Sequence, residues 1–372
     1  MISKKVLQIL LLILPLSILF AQKTIVEIKG EQFYINGKPT YEGRYWNDCK
    51  IEGLLMNSRM VQGIFDDLNM ETRSLWKYPD TGEWDPDRNT NEFITSMSDW
   101  HHHGLLAFTL NIQGGSPTGY GNKGWINSGF EKDGKIRVDY FKRLEKILSK
   151  ADDLGMVVIL GLFYFGQDEY LENEKAVINA VNNTIDWLFM QKFRNVLIEI
   201  DNECNAESYH HPILKSERVH ELIELVKNKK HPKYGFRFYV STSYTGRKIP
   251  LPNVVKSADF ILLHGNGVDK SEIITQMIQE TRKVEGYRPM PIVFNEDDHY
   301  DFDKPENNMI NAIKAGASWG YFDFRSRGET LKTGDPTYHE GYQSVPVDWG
   351  INSQRKRDFF ELLSQITGSD KK

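Results

Sequence analysis

Two hydrophobic rhythms take turns along the chain from Thr24 onward. Short runs rich in Val, Ile, Leu and Phe recur, and between them lie longer stretches with apolar residues at three- and four-residue spacing. The first rhythm is that of strands and the second that of helices. Residues 24–39 alternate in twos around an Asn36-Gly37 turn, which predicts a small β-hairpin. A first strand is read over 40–46, with a short helical piece around 56–68. Helices follow over 91–102, 138–154, 174–190, 216–229, 271–284, 306–315 and 353–366. The remaining strands are read over 104–110, 155–165, 236–242, 259–264, 291–296 and 319–324, with the fourth in "VLIEIDNECN" at 196–205. Strands alternating with helices of this length imply a parallel sheet. Eight such units in roughly 350 residues fit a (β/α)8 TIM barrel with long βα loops. A doubly wound open sheet is the structural rival. It would show a Gly-rich phosphate turn after the first strand, and "YEGRYWNDC" is not one. No repeat or linker divides the chain, so 22–372 is read as one domain.

The N-terminus changes the picture of where this domain works. Lys4 and Lys5 precede an apolar run over 6–20, and Ala21 follows. This is the layout of a secretory signal peptide over 1–21. The run of about 15 residues is short for a membrane span, although an uncleaved anchor is the alternative. A secreted or periplasmic protein, free of the membrane after cleavage, is expected. The 372 residues carry a formal charge of -5, which argues against nucleic acid as the partner. Export permits a disulfide, but two cysteines, Cys49 and Cys204, do not make a disulfide scaffold. Both are expected to be free.

The candidate chemistry sits in the fourth strand. Glu199, Asp201 and Glu203 occupy alternate positions there, so all three are expected on one face. A buried acid needs a cation, a donor or a wet mouth. Active sites of such barrels lie at the C-terminal ends of the strands. Glu203 falls at the end of strand four and Glu296 at the end of strand seven, each after an asparagine, Asn202 and Asn295. Two carboxyls at one mouth suit glycosidic cleavage, in which one must carry a proton and the other a charge. Asn111, Trp125, Tyr244 and Arg325, in the loops after strands two, five and eight, are candidate substrate contacts. Aromatic faces suit sugar rings, and Arg suits carboxylate or sulfate. A carbohydrate partner is expected, with an acidic polysaccharide as the narrower option.

Asn-Glu ending strand four and Glu ending strand seven resemble the retaining glycoside hydrolases of the (β/α)8 clan that includes family 5 cellulases and mannanases. Glu199, four residues before Glu203, is similar to the E-x-x-N-E of many members. The resemblance implies Glu203 as acid/base, Glu296 as nucleophile and Asn202 as holder of the sugar 2-hydroxyl. It implies that His264, at the end of strand six, steadies the nucleophile. Cys204 stands where many members have Pro, and "LLAFTLNI" lacks the Arg that many carry on strand two. Arg44 on strand one is expected to supply that charge, and Glu199 to be a structural acid paired with a cation lower in the barrel. No cofactor and no metal is expected. The "HHH" at 101–103 maps to the bottom face, and "NEDDHYDFD" lacks the Gly and terminal Glu of a calcium loop. The alternatives are a barrel that binds glycans without cutting them, and a metal-dependent hydrolase using Glu203, Glu296 and His299.

Overall fold

The alternation of the chain becomes a closed ring of parallel strands with helices around it. The computed structural model describes residues 23–117, 124–324 and 340–369; the predicted signal peptide lies outside them. Three short strands open the chain as an antiparallel meander, β1 (Val26–Lys29), β2 (Gln32–Ile35) and β3 (Lys38–Pro39). The expected hairpin therefore gains a third strand, with Asn36 and Gly37 at its second turn, both at positive φ. A separate hairpin pairs β4 (Tyr45–Trp46) with β5 (Cys49–Lys50).

The barrel begins only at β6 (Asn57–Arg59) and continues through β7 (Ala107–Asn111), β8 (Val157–Tyr164), β9 (Val196–Asn202) and β10 (Tyr239–Ser241). With β13 (Gly320–Tyr321) beside β6, these make a six-stranded parallel ladder in the order β10-β9-β8-β7-β6-β13. The remaining two, β11 (Ile261–His264) and β12 (Ile292–Glu296), pair in parallel with each other. Parallel bridges Val293–Ser318 and Asp297–Tyr321 carry β12 over to the last strand. On the other side, the Asp259 N–H donates to the Val240 carbonyl at 3.0 Å. Six strands plus two, in chain order around a ring, are a (β/α)8 barrel.

The strand expected over 40–46 is corrected. That stretch ends in a tight hairpin whose turn residues, Asn47 and Asp48, both have positive φ (45° and 61°). Asn and Asp tolerate that region, and the paired positive values are those of a type I′ turn. The first barrel strand lies instead in "MNSRM", where a helical piece is expected; only a three-residue 3-10 turn, Val61–Gly63, follows it. Its inward residues are polar, which hid it from a search for apolar runs.

The helices are α1 (Met70–Arg73), α2 (Pro86–His102), α3 (Val138–Leu154), α4 (Glu174–Gln191), α5 (Val219–Asn228), α6 (Pro252–Ser257), α7 (Glu272–Thr281), α8 (Asn308–Lys314) and α9 (Gln354–Thr367). Their ends follow local chemistry. Asp85 caps α2 through the Asp87 and Arg88 N–H groups, with Pro86 at the first helical position. Gly155 ends α3 in the left-handed conformation. The inner faces of the helices pack on the outward residues of the strands. Inside the ring, Ala107, Val157, Ile159, Leu197, Leu262 and Val293 form a separate apolar cluster, and Val26 and Phe33 of the meander close it from below. Phe33 meets Phe260 edge-on, with centroids 6.3 Å apart. The bottom of the barrel is therefore dry and plugged, and polar groups are left for the top.

Candidate active site

Above the apolar plug the barrel interior turns polar. Asn57 and Arg59 of β6, Asn111 of β7, Glu199 of β9 and Asn295 of β12 are all buried. Glu199 is met by Asn295 Nδ2, 3.4 Å from each carboxylate oxygen, and not by the cation expected lower in the barrel. Gly161 of β8 leaves room there, since a Cβ on it would lie 2.3 Å from Asn111 Oδ1.

The alternation expected of the three acids holds for Glu199 and then breaks. Asn202, not Asp201, faces the mouth, where its Oδ1 accepts from Arg59 Nη2 at 2.7 Å. Asp201 is fully buried away from it, accepting from the Thr242 hydroxyl, and burial holds its carboxyl well above the usual range. Glu203 then turns back to the mouth through a left-handed backbone, φ 58°. Such a conformation is uncommon for a residue with a Cβ and persists where its surroundings enforce it. Here the Glu203 N–H donates to Ser243 Oγ at 2.9 Å, and the next N–H, of Cys204, donates to the Ser243 carbonyl at 2.9 Å. Cys204 is a free, buried thiol, and burial pushes its pKa well up, away from nucleophilic use.

Glu203 and Glu296 converge. One ligand atom from each of Glu203, His264 and Glu296 lies within 4.8 Å of the others. His264 Nδ1 sits 3.0 Å from Glu203 Oε1 and 3.6 Å from Glu296 Oε2. Asn266 Nδ2 donates to Glu296 Oε1 at 2.6 Å. Arg59 Nε lies 2.6 Å from Glu296 Oε2, a charge contact set off the N–H direction. Both side chains of that pair are buried, at 3% and 5% exposure, whereas Glu203 is 16% exposed. Burial pushes the Glu296 carboxyl up; Arg59 and His264 pull it back and Glu203 adds to the rise. Burial opposes a charge on His264, but the two glutamates outweigh it and its pKa is raised. Around Arg59 the acids likewise outweigh burial, so the guanidinium stays charged.

The pocket over this pair is small, with a volume of about 20 Å3, and is lined by Arg59, Val61, Gly115, Tyr164, Asn202, Glu203, Glu296, Phe322 and Gln343. Of the substrate contacts expected from the sequence, Asn202 lines it directly, and His264 bonds to its glutamates. Asn111 lies one layer below, beside Gly161. Trp125 and Tyr244 are buried, at 6% and 3% exposure, and are not among the lining residues. Arg325 lies outside the described residues. Arg44 is corrected: it sits at the opposite end of the barrel and donates to the carbonyls of Gln365 and Ile366 in the last turn of α9. The missed residue is Arg59. The signal for it was an arginine in a short polar stretch, 57–59, between the apolar runs 54–56 and 60–61, too polar at its inward positions to read as a strand.

His299 does not join the glutamates. Its Nδ1 pairs with Asp297 at 2.8 Å, and Asp297 also accepts from Trp319 Nε1 at 2.8 Å and from Asn308. Among the described residues no helix is long and apolar enough to cross a membrane.

Neither a protein-family model nor a curated protein matches the sequence. Solved structures do resemble it. The endo-1,4-beta-mannanase from Rhizomucor miehei is 11% identical with a TM-score of 0.56, the match covering 94% of this chain and 100% of that one. A family 5 glycoside hydrolase from Bacteroides vulgatus is 11% identical with a TM-score of 0.53, covering 91% of this chain and 70% of that one. Another Bacteroides vulgatus protein is 13% identical with a TM-score of 0.50 over 88% of this chain, which spans only 59% of that protein's length. At these identities the likeness establishes the fold, a (β/α)8 barrel of the kind found in family 5 glycoside hydrolases.

Proposed function

We propose that this protein is an exported retaining glycoside hydrolase that cleaves an oligo- or polysaccharide by double displacement. The observation that carries the reading is the placement of two carboxyl groups, from β9 and β12, with oxygens within 4.8 Å at the mouth. Carboxyls about 5–5.5 Å apart serve retention, whereas inversion leaves about 6.5–9.5 Å for a water between them. The solved structures named above, of a mannanase and a family 5 enzyme, support the same reading.

Glu296 is the nucleophile. It has the guanidinium against one oxygen and the Asn266 amide on the other, and both favour its charged form. Its carboxylate attacks the anomeric carbon as the bond to the departing oxygen breaks. Glu203, the more exposed acid, gives its proton to that oxygen. In the second step Glu203 takes a proton from water, the water oxygen bonds to the anomeric carbon, and the bond to Glu296 breaks. His264 orients Glu203. Asn202 has its Oδ1 committed to Arg59, so its Nδ2 is the group offered to a sugar hydroxyl.

The test is a screen on plant, algal and bacterial polysaccharides with products read by mass, followed by Glu203→Gln and Glu296→Gln. Each variant is expected to lose turnover by at least about 100-fold while keeping the fold. Full activity in both on a substrate the wild type cleaves overturns the assignment. A metal-dependent reading has one observation in its favour, the approach of Glu203, His264 and Glu296. The Arg59 charge already in contact with Glu296 works against a second cation. Loss of activity on chelation, restored by metal, would decide for it.

A further inference from the structure

We infer that the underside of the barrel holds a second binding site, for an acidic sugar: a cleft where Arg194 and Lys230 meet a carboxylate or sulfate and an apolar lining meets the ring. The site goes beyond the hydrolase reading and does not depend on it. The cleft has a volume of about 320 Å3, within the roughly 300–1,000 Å3 usual for ligand sites. That is more room than a bare ion needs. It opens where β1, β9 and β10 begin, on the far side of the apolar plug from Glu203 and Glu296.

Two separate stretches bring the charges. Arg194 stands between α4 and β9, and Lys230 follows α5 in the basic stretch "KNKKHPKYGFRF" at 227–238. Other cations of that stretch are already committed. Lys227 contacts Glu224 at 3.2 Å, Lys229 contacts Asp186 at 2.7 Å, and Arg237 forks onto Asp259 at 2.6 and 2.8 Å. Among the described residues, Arg194 and Lys230 have no such carboxylate. Glu27, the one acid among the lining residues, has Lys29 3.7 Å away. Two uncommitted cations at one cleft, on a chain of net charge -5, make a local positive field that draws an anion.

The cleft is shaped before any ligand arrives. The His231 N–H donates to the Phe236 carbonyl at 2.8 Å, and the Lys233 and Tyr234 N–H groups donate to His231 Nδ1 at 3.1 and 3.2 Å. The Phe236 ring stacks with His231, centroids 5.1 Å apart, and carries the Arg194 guanidinium 4.8 Å from its centre. That contact steadies the planar fork of Arg194, which matches carboxylate or sulfate oxygens two at a time. Val26, Val196, Phe236, Phe238 and Tyr239 supply the apolar lining. A sugar ring packs its C–H face there while its acid group reaches the cations. A neutral sugar would leave both cations unmet, and a bare anion would leave the apolar lining wet.

The experiment measures binding by calorimetry and ligand-observed NMR, with glucuronate and glucose 6-sulfate as probes and glucose and inorganic sulfate as controls. Saturable binding of the two acidic sugars is expected, tighter than that of either control. Arg194→Gln and Lys230→Gln should each weaken it by about 10-fold or more, the loss of a hydrogen bond to a charged group. Lys230 is exposed, so its variant keeps the fold and decides the matter even if Arg194→Gln is destabilised. Glu203→Gln and Glu296→Gln should bind the probes as the wild type does. No saturable binding, equal binding of glucose or inorganic sulfate, undiminished binding in Lys230→Gln, or loss of binding in the two glutamate variants overturns the inference. None of these outcomes bears on whether the protein cleaves a glycan.

Discussion

Arg59 is held in the mouth by a buried charge on one side and an amide on the other. Its Nε lies against Glu296 and its Nη2 donates to Asn202, with both glutamate and arginine side chains nearly excluded from solvent. Removing one member of a buried ion pair strands the other and costs about 3–5 kcal/mol. Arg59→Met is therefore expected to destabilise by about that much in urea unfolding. Adding Glu296→Gln should recover part of the loss, because the stranded charge is gone; strict additivity of the two changes would contradict the pairing.

Glu203 makes a different demand, on the backbone. A left-handed residue with a Cβ costs roughly 1–2 kcal/mol over glycine. Glu203→Gly and Glu203→Ala should both be inactive, with the glycine variant the more stable by about 1 kcal/mol. Asp201 makes a third, on pH. An acid whose folded pKa is raised by burial holds its proton more tightly when folded. Its contribution favours folding below the unfolded value, about 3.9, and is lost as pH climbs above it. Asp201→Asn removes that loss. Thermal melts should place its Tm above wild type near pH 8, with the difference shrinking toward pH 4.

Among the elements, the meander β1–β3 is the one whose role no sequence pattern announced. Its hairpin signal was plain, at Asn36-Gly37, but nothing local says that Phe33 plugs the barrel floor. Phe33→Ala should cost about 3–5 kcal/mol, the range for emptying a buried aromatic site. Activity measured below the new melting point should change little, since Phe33 lies at the end of the barrel away from Glu203 and Glu296. The legibility of the other elements follows the same division. Strands buried on both faces by apolar side chains, such as β8 and β11, were readable because burial and hydrophobicity coincide there. So were α3 and α9, whose apolar spacing is strong. The strand β6 was not readable, because it is three residues long and turns Asn57 and Arg59 inward. Its loss displaced the first strand onto 40–46 and, with it, the expected arginine from Arg59 to Arg44. The convergence of the two glutamates was legible because residues at the C-terminal ends of a barrel's strands share one mouth whatever the loops do. The break in alternation after Glu199 was not, because it depends on contacts made across the sheet, Asn202 to Arg59 and Asp201 to Thr242, that no local pattern announces.

On the scale of the molecule, the chain's last part locks its first. The ring closes where β13 meets β6, and α9 then packs beneath, Phe359 stacking on Tyr321 with centroids 4.3 Å apart. Trp349 ties back through its ring N–H to Asn89 at 3.1 Å, and its carbonyl takes the Trp100 ring N–H at 3.1 Å. A chain ending before Gln354 should therefore lose the cooperative fold as a whole and not merely shed a helix; a broad, shallow melt by circular dichroism is expected in place of a single sharp transition.

The dry layer under the polar mouth also keeps the two ends of the barrel apart. Ala107, Val157, Ile159, Leu197, Leu262 and Val293 stand between the meander and the buried acids, and a charge placed among them would have no partner to meet it. The floor can therefore drift in sequence only among apolar residues, whatever the mouth above it comes to hold.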